Sequence, residues 1–387
     1  MNPASFIAPV VRELPPSGIR RFFDLVAETK GVISLGVGEP DFVTPWHIRE
    51  ACMYSLEKGY TMYTSNHGLL ELREEIVNYL AKNFALRYDP KREILVTVGA
   101  SEGVDLAMRT LLCPGDEVLI PDPSYVSYMP CVTLAGGRAI SVPTRAEEEF
   151  KLNPAVLESL ITPRTKVLVL CYPNNPTGAV MTESELLSVA EIVERHNLIV
   201  VSDEIYAELT YEGKPVSFAA LPGMRDRTVL LSGFSKAFAM TGWRIGYVAT
   251  NADFLAAMVK IHQYTMLCAP VMGQMAALEA LRNGETEKKR MVTTYDQRRR
   301  FVVAALREMG LDCFEPKGAF YVFPSIKATG LSSADFAERL VLEAKVAVVP
   351  GTAFGSSGEG HIRCSYATST PHLKEAMSRI KDFLTTL

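Results

Sequence analysis

Seven cysteines (52, 113, 131, 171, 268, 313 and 364) lie far apart with no Cys-x-x-Cys pair among them. That spacing argues against a zinc cluster and a disulfide framework, and is expected to leave mostly buried, reduced thiols. The six histidines form no triad and no metal cluster, so no metal is expected. Forty lysines and arginines against 44 aspartates and glutamates are scattered without a basic stripe, which speaks against nucleic acid and anionic membrane surfaces as partners. No run of about eighteen apolar residues occurs, and residues 1–20 lack a basic segment leading into an apolar one. The expected compartment is the cytoplasm. Neither the dinucleotide glycine pattern nor the Walker lysine motif is present, and no internal repeat or low-complexity stretch appears. What remains is a chain of 387 residues, 48% hydrophobic and 22% charged, long enough to bury a sizeable core.

Short β-branched runs at 94–98, 117–120, 139–142, 167–171, 198–202, 229–232 and 245–248 alternate with helical patterns. This is the signature of an α/β fold with a mostly parallel sheet of about seven strands covered by helices. Thr182 with Glu185 three residues on reads as a capping box, followed by Leu186, Ala190 and Val193 at helical spacing. Beyond residue 285 the texture changes to a long charged helix (287–309), a strand at 319–322, a helix through Phe336 and Leu340, and strands at 346–349 and 362–365. Thr370 as N-cap and Pro371 as first helical residue open a terminal helix whose apolar face carries Leu373, Met377, Ile380 and Leu384. The expected division is a large unit, 45–284, and a smaller α+β unit built from 1–44 together with 285–387.

Several residues that carry chemistry fall at strand ends. Ser232-Gly233-Phe234-Ser235-Lys236 follows a strand, which brings a lysine to the carboxyl edge of a parallel sheet, where such folds bind ligands. Arg244, eight residues on in Thr241-Gly242-Trp243-Arg244-Ile245-Gly246, stands among small residues where a guanidinium can approach a dianion. Asp203 ends the run Leu198-Ile199-Val200-Val201-Ser202. Its buried carboxylate needs a partner, either a cationic ring nitrogen or an ordinary cap or salt bridge. Tyr206 follows three residues later. At Gly99-Ala100-Ser101 a strand gives way to a helix whose free N–H groups suit a phosphate. Tyr172-Pro173-Asn174-Asn175-Pro176-Thr177-Gly178 reads locally as a turn.

Taken together, Ser232 to Gly246, Asn175-Pro176-Thr177-Gly178, Asp203-Glu204-Ile205-Tyr206 and Gly38-Glu39-Pro40-Asp41-Phe42 resemble the class I/II aminotransferases of the fold-type I pyridoxal-phosphate family, over nearly the whole chain. The resemblance implies pyridoxal 5′-phosphate as cofactor, with Lys236 as its Schiff-base lysine and proton carrier, its pKa lowered by cationic surroundings. It implies Asp203 on the pyridine nitrogen, and Asn175 with Tyr206 on the phenolic oxygen. Arg244, Ser235 and the Gly99-Ala100-Ser101 turn would hold the phosphate, with Tyr125 stacked on the ring. Arg363, in His361-Ile362-Arg363-Cys364, matches the arginine that takes a substrate α-carboxylate, and Gly38 and Asn175 belong to the same substrate site. Tyr63 matches a tyrosine that reaches the phosphate of a neighbouring subunit, so a homodimer with shared active sites is implied. Gly233 departs from the pattern, since some members place a phosphate-binding serine there; Ser232 and Ser235 are the candidate substitutes.

The activity implied is transfer of an amino group from an L-amino acid to a 2-oxo acid such as 2-oxoglutarate. No second arginine can be assigned to a distal carboxylate, and an aromatic donor is favoured over aspartate or N-acetyl-diaminopimelate. Ser17-Gly18-Ile19-Arg20 and Ile261-His262-Gln263-Tyr264 are candidate pocket segments, with plain surface packing as the competing reading. Two other functions fit the same scaffold: a C–S β-lyase, and a non-catalytic regulator. The regulator would call for a DNA-binding segment that is not expected here.

Overall fold

A computed structural model describes residues 1–16, 18 and 29–387. The first strand, β1 (Ile33–Ser34), stands apart from the next seven: β2 (Ile94–Thr97), β3 (Glu117–Asp122), β4 (Arg138–Pro143), β5 (Thr165–Leu170), β6 (Ile199–Asp203), β7 (Thr228–Gly233) and β8 (Gly246–Ala249). These seven form one sheet in the order β2-β8-β7-β6-β5-β3-β4. Only β8 runs against the others, pairing antiparallel with β2 and β7. All seven expected strands are present, with ends displaced by one or two residues.

Side chains alternate between two apolar layers, as a pleated strand buried on both faces requires. Leu95, Val118, Ile120, Val167, Val169, Val201, Leu231 and Val248 meet the helices Gly99–Leu111 and Ala252–Thr265 on one face. Leu119, Val142, Leu168, Leu170 and Val200 meet the helix Glu183–Arg195 on the other, where Ile94, Val96, Leu230 and Ala249 meet Leu70–Phe84 and Val271–Asn283. Each such valine, leucine or isoleucine stabilises the fold by about 1.5–3 kcal/mol. The Thr182 capping box forms as expected, with the Thr182 side chain accepting from the Glu185 N–H and the Glu185 side chain accepting from the Thr182 N–H.

Strands β9 (Tyr321–Val322), β10 (Val346–Ala347), β11 (Val349–Pro350) and β12 (Ile362–Ser365) lie beyond the long helix Glu285–Glu308. The single strand expected at 346–349 is two. β10 pairs with β1, and β11 joins β12 and β9 in a three-stranded sheet, so the run changes partner at Val348. Ala319 is not part of β9, because it adopts φ 57°. The terminal helix, Thr370–Leu384, starts one residue early: Ser369 is its N-cap, accepting from the His372 N–H, and Thr370 is its first residue. A core of Val302, Leu306, Phe320, Phe336, Leu340, Leu373 and Ile380 gathers these elements with Leu35.

The cysteines are unpaired; Cys171, Cys313 and Cys364 are buried, Cys52, Cys131 and Cys268 partly so, and Cys113 is exposed, so burial is less general than expected. Among the described residues no helix is long and apolar enough to cross a membrane, and no group of three or more His, Cys, Asp or Glu is arranged to hold a metal.

Candidate active site

The parallel strands deliver their following residues to one edge. Gly99 follows β2, Tyr125 follows β3, Asn175 follows β5, Asp203 closes β6 and Lys236 follows β7. Because β8 is antiparallel, Arg244, just before it, comes to that same edge. There Tyr125, Asn175, Asp203, Lys236 and Arg244 surround a cavity of about 340 Å³, lined also by Gly38, Glu39, Ala100, Ser101, Tyr128, Tyr206, Ser235, Tyr321 and Arg363.

Lys236 donates to the Gly38 carbonyl at 2.6 Å. Its amine is pushed down to about 8, first by burial, then by Arg363 and Arg244, against the opposing pull of Glu39 and Asp203. The cationic surroundings expected to lower it are thus secondary to desolvation. Asp203 is buried. One carboxylate oxygen accepts from the Tyr128 hydroxyl at 2.8 Å and the other from the Ile205 N–H at 3.2 Å. Burial raises its pKa above the usual carboxylate range, opposed by Tyr128, Ile205 and Lys236. It forms neither a helix cap nor a close ion pair among the described residues.

Arg363 lies between the rings of Tyr321 and Phe354, 4.4 and 4.6 Å from their centres. Its Nη1 donates to Asn175 Oδ1 at 2.8 Å and its Nη2 to the Gly36 carbonyl at 2.7 Å, while its buried Nε has no partner among the described residues. The Tyr206 hydroxyl meets that of Tyr321 at 2.8 Å, and burial holds Tyr206 well above the ordinary phenol range. Both hydroxyls therefore remain protonated at neutral pH and can donate.

In the same cavity, Arg244 takes a left-handed backbone, φ 55°, and sends Nη2 to Ser101 Oγ at 3.1 Å. Gly99 makes that approach feasible, since a Cβ there would lie 2.6 Å from Nη2. No side chain caps the helix that begins at Gly99, so its first N–H groups are available to an anion. Gly233 has a packing reason: a side chain would strike Gly246 Cα and the Ile245 carbonyl, each at 2.9 Å, where β7 and β8 come together. Ser235 lines the cavity, whereas Ser232 Oγ donates to the Glu204 carbonyl instead. The Gly38 segment is anchored by a bidentate pair from Arg298 to Asp41, at 2.7 and 2.9 Å, and by a bond from Thr241 to Glu39.

An amine of lowered pKa, a buried carboxylate, an arginine with an unsatisfied N–H and an arginine above an uncapped helix start share one cavity. The whole chain agrees with what that set suggests, since residues 30–380 match the sequence model of aminotransferase class I and II. The chain belongs to this family.

The aminotransferase is 55% identical to "Putative aminotransferase YugH" of Bacillus subtilis (strain 168), over 98% of each chain. It is 48% identical to an aspartate aminotransferase of Pyrococcus abyssi, over 95% of this chain and 96% of that one. Among solved structures, an aromatic aminotransferase from Pyrococcus horikoshii superposes with TM-score 0.91 at 46% identity, covering 94% of this chain and 99% of that one. The family implies pyridoxal 5′-phosphate, and the residues present fit it: an available amine, a buried acid for a cationic ring nitrogen, and a cradle for a dianion.

Of the expected site residues, Gly99 does not line the cavity but lies against the Arg244 guanidinium that does, and Tyr63 stands away from this aminotransferase's own cavity, with 83% of its surface exposed. Of the two expected pocket segments, 261–264 is not found there. None of Ile261, His262, Gln263 and Tyr264 lines the cavity: His262 is fully buried against Glu102 and Tyr264 is 86% exposed. Of the other segment, Ser17, Ile19 and Arg20 lie outside the described residues, and Gly18 is exposed and does not line the cavity. Tyr128 and Tyr321 were not assigned from sequence. Tyr128 stands one helical turn after Tyr125, a spacing that hinted at it, whereas nothing local marked Tyr321.

Proposed function

We propose that this aminotransferase holds pyridoxal 5′-phosphate covalently on Lys236 and transfers the amino group of an aromatic L-amino acid to a 2-oxo acid such as 2-oxoglutarate. The observation that carries the reading is the Lys236 amine, pushed down to about 8 inside a cavity that it shares with Arg363 and Arg244. Arg244, Ser235 and the Gly99-Ala100-Ser101 turn hold the phosphate, and Tyr125 covers the ring. Asp203 binds the ring nitrogen, and Asn175 with Tyr206 binds the phenolic oxygen. When bound, the cofactor supplies an electron sink for charge developing at the substrate α-carbon.

Arg363 receives the substrate α-carboxylate as a bidentate partner, with its ring contacts keeping the guanidinium plane fixed. Gly38 brings backbone to the same group. Lys236 would hold the cofactor through its amine and, as a free amine, would take up the proton from the substrate Cα and give it back. Tyr128 holds the Asp203 carboxylate in place, and a cationic ring nitrogen supplies the countercharge that its burial demands.

Support for an aromatic donor comes from the cavity wall. Among the described residues its cations are Lys236, Arg244 and Arg363, each already engaged, while Val37, Tyr125, Ile205 and Tyr321 supply apolar and aromatic surface. A homodimer with Tyr63 reaching the partner's phosphate is supported by the exposed apolar side chains of Trp46, Tyr60, Met62 and Tyr63. We also read 45–284 as the cofactor-binding domain and 1–44 with 285–387 as the small domain, since β1 pairs with β10. Unpaired thiols suit a cytoplasmic setting. The test is borohydride reduction of the cofactor-loaded protein followed by peptide mapping. Label on Lys236 alone is expected; label on another lysine overturns the assignment.

A further inference from the structure

The turn that would receive the cofactor phosphate carries a carboxylate of its own. Glu102 lies in the first turn of the helix Gly99–Leu111, immediately after Ser101, and is almost wholly buried. A free carboxylate beside a dianion repels it, strongly so where water is excluded. Here both oxygens are committed: Oε2 accepts from the Val98 N–H at 2.5 Å and Oε1 meets His262 Nδ1 at 2.6 Å. His262 arrives from the last turn of the helix Ala252–Thr265, is fully buried, and leaves Nε2 with no partner among the described residues. Among the described residues, its only side-chain hydrogen bond is therefore the one to Glu102. The main chain just beyond it, at Leu267, accepts from Asn66 at 2.7 Å, in the segment that carries Tyr63.

We infer that His262 is a positioning residue for the cofactor phosphate. It holds the Glu102 carboxylate under the turn by a hydrogen bond, so that Gly99 to Ser101 present N–H groups to the dianion without a competing acceptor. The inference rests on the phosphate reading of the Gly99-Ala100-Ser101 turn and adds to it two residues that do not line the cavity.

The experiment uses the full-length protein freed of cofactor, and measures the dissociation constants of inorganic phosphate and of pyridoxal 5′-phosphate beside the melting temperature. His262→Leu releases the carboxylate and is expected to weaken both constants about tenfold to a hundredfold, the effect of losing a hydrogen bond to a charged group. His262→Asn, which offers an amide N–H near the position of Nδ1, is expected to restore most of that loss. Adding Glu102→Gln to the leucine variant is also expected to recover affinity, because the remaining amide cannot repel the phosphate. A purely structural role would lower the melting temperature without this recovery. Glu102→Gln alone should bind phosphate as tightly as the wild type or tighter, a comparison that stands even if the leucine variant does not fold. Wild-type affinity in the leucine variant, or tenfold weaker binding in Glu102→Gln alone, overturns the inference while leaving the phosphate site intact. If the wild-type apoprotein binds neither ligand, the phosphate reading itself falls, and this inference with it.

Discussion

Removing the cofactor should expose the unusual basicity of Lys236 to direct titration. An ordinary lysine loses its proton near 10.5, whereas burial, followed by Arg363 and Arg244, holds this one at about 8. At pH 7 its neutral, nucleophilic fraction is then about 10% instead of about 0.03%, roughly a 300-fold enrichment. Limited acetylation of the apoprotein across about pH 6 to 11, read residue by residue by mass spectrometry, gives an inflection for each lysine. The expected inflection for Lys236 lies near pH 8, and Arg363→Leu should move it upward by removing the second-largest cause. The sign for stability follows. Burial disfavours the protonated form, so between about pH 8 and 10.5 the unfolded chain holds a proton that the folded chain has released. This lysine's cost to the apoprotein is therefore complete below about pH 8 and fades as pH rises to 10.5. An inflection for Lys236 near the ordinary 10.5 would refute the reasoning.

Arg363→Lys keeps the charge but loses the planar fork, and kcat/KM for every amino donor should fall about tenfold to a hundredfold; steady-state kinetics with unchanged kcat/KM would contradict its role. Tyr128→Phe removes the 2.8 Å bond to Asp203, and absorbance titration should show cofactor affinity lowered by about 1.5–3 kcal/mol. An affinity equal to wild type would mean that Asp203 is held by other means. Shared sites predict complementation: refolding Lys236→Ala together with Tyr63→Ala should create hybrid dimers with one complete site, and activity above either parent. No gain on mixing would confine Tyr63 to a role within its own chain.

The sheet was legible because each of its strands is a short β-branched run closed by breakers, buried on both faces. Val346 to Pro350 was not, since nothing local tells a continuous apolar run that its first half pairs with β1 and its second with β12. Thr370 and Ser369 are both competent caps, and the choice fell to the hydroxyl that reaches the His372 N–H.

At the site, residues directly following parallel strands were readable because topology puts them on one edge. Arg244 reached that edge for a reason the sequence did not expose, the antiparallel direction of β8. Tyr321 was hidden, as a tyrosine in a short strand looks like core until Tyr206 and Arg363 are seen against it. His262 was a candidate pocket residue only as part of 261–264, with surface packing as the competing reading. The structure turns it inward to Glu102, a contact between residues 160 positions apart that no local pattern announces.

The central claim is that Lys236 carries the cofactor through a complete amino-group transfer, and the visible absorption spectrum tests it most directly. It would be recorded on the loaded protein with tyrosine, phenylalanine, aspartate, glutamate or N-acetyl-diaminopimelate added singly, without acceptor, and then with 2-oxoglutarate. The account predicts that an aromatic donor converts the cofactor band to the amine form and that 2-oxoglutarate restores it, while Lys236→Ala shows neither change. Release of ammonia and pyruvate from cystathionine without an acceptor, or a cofactor band that no donor alters, would contradict it.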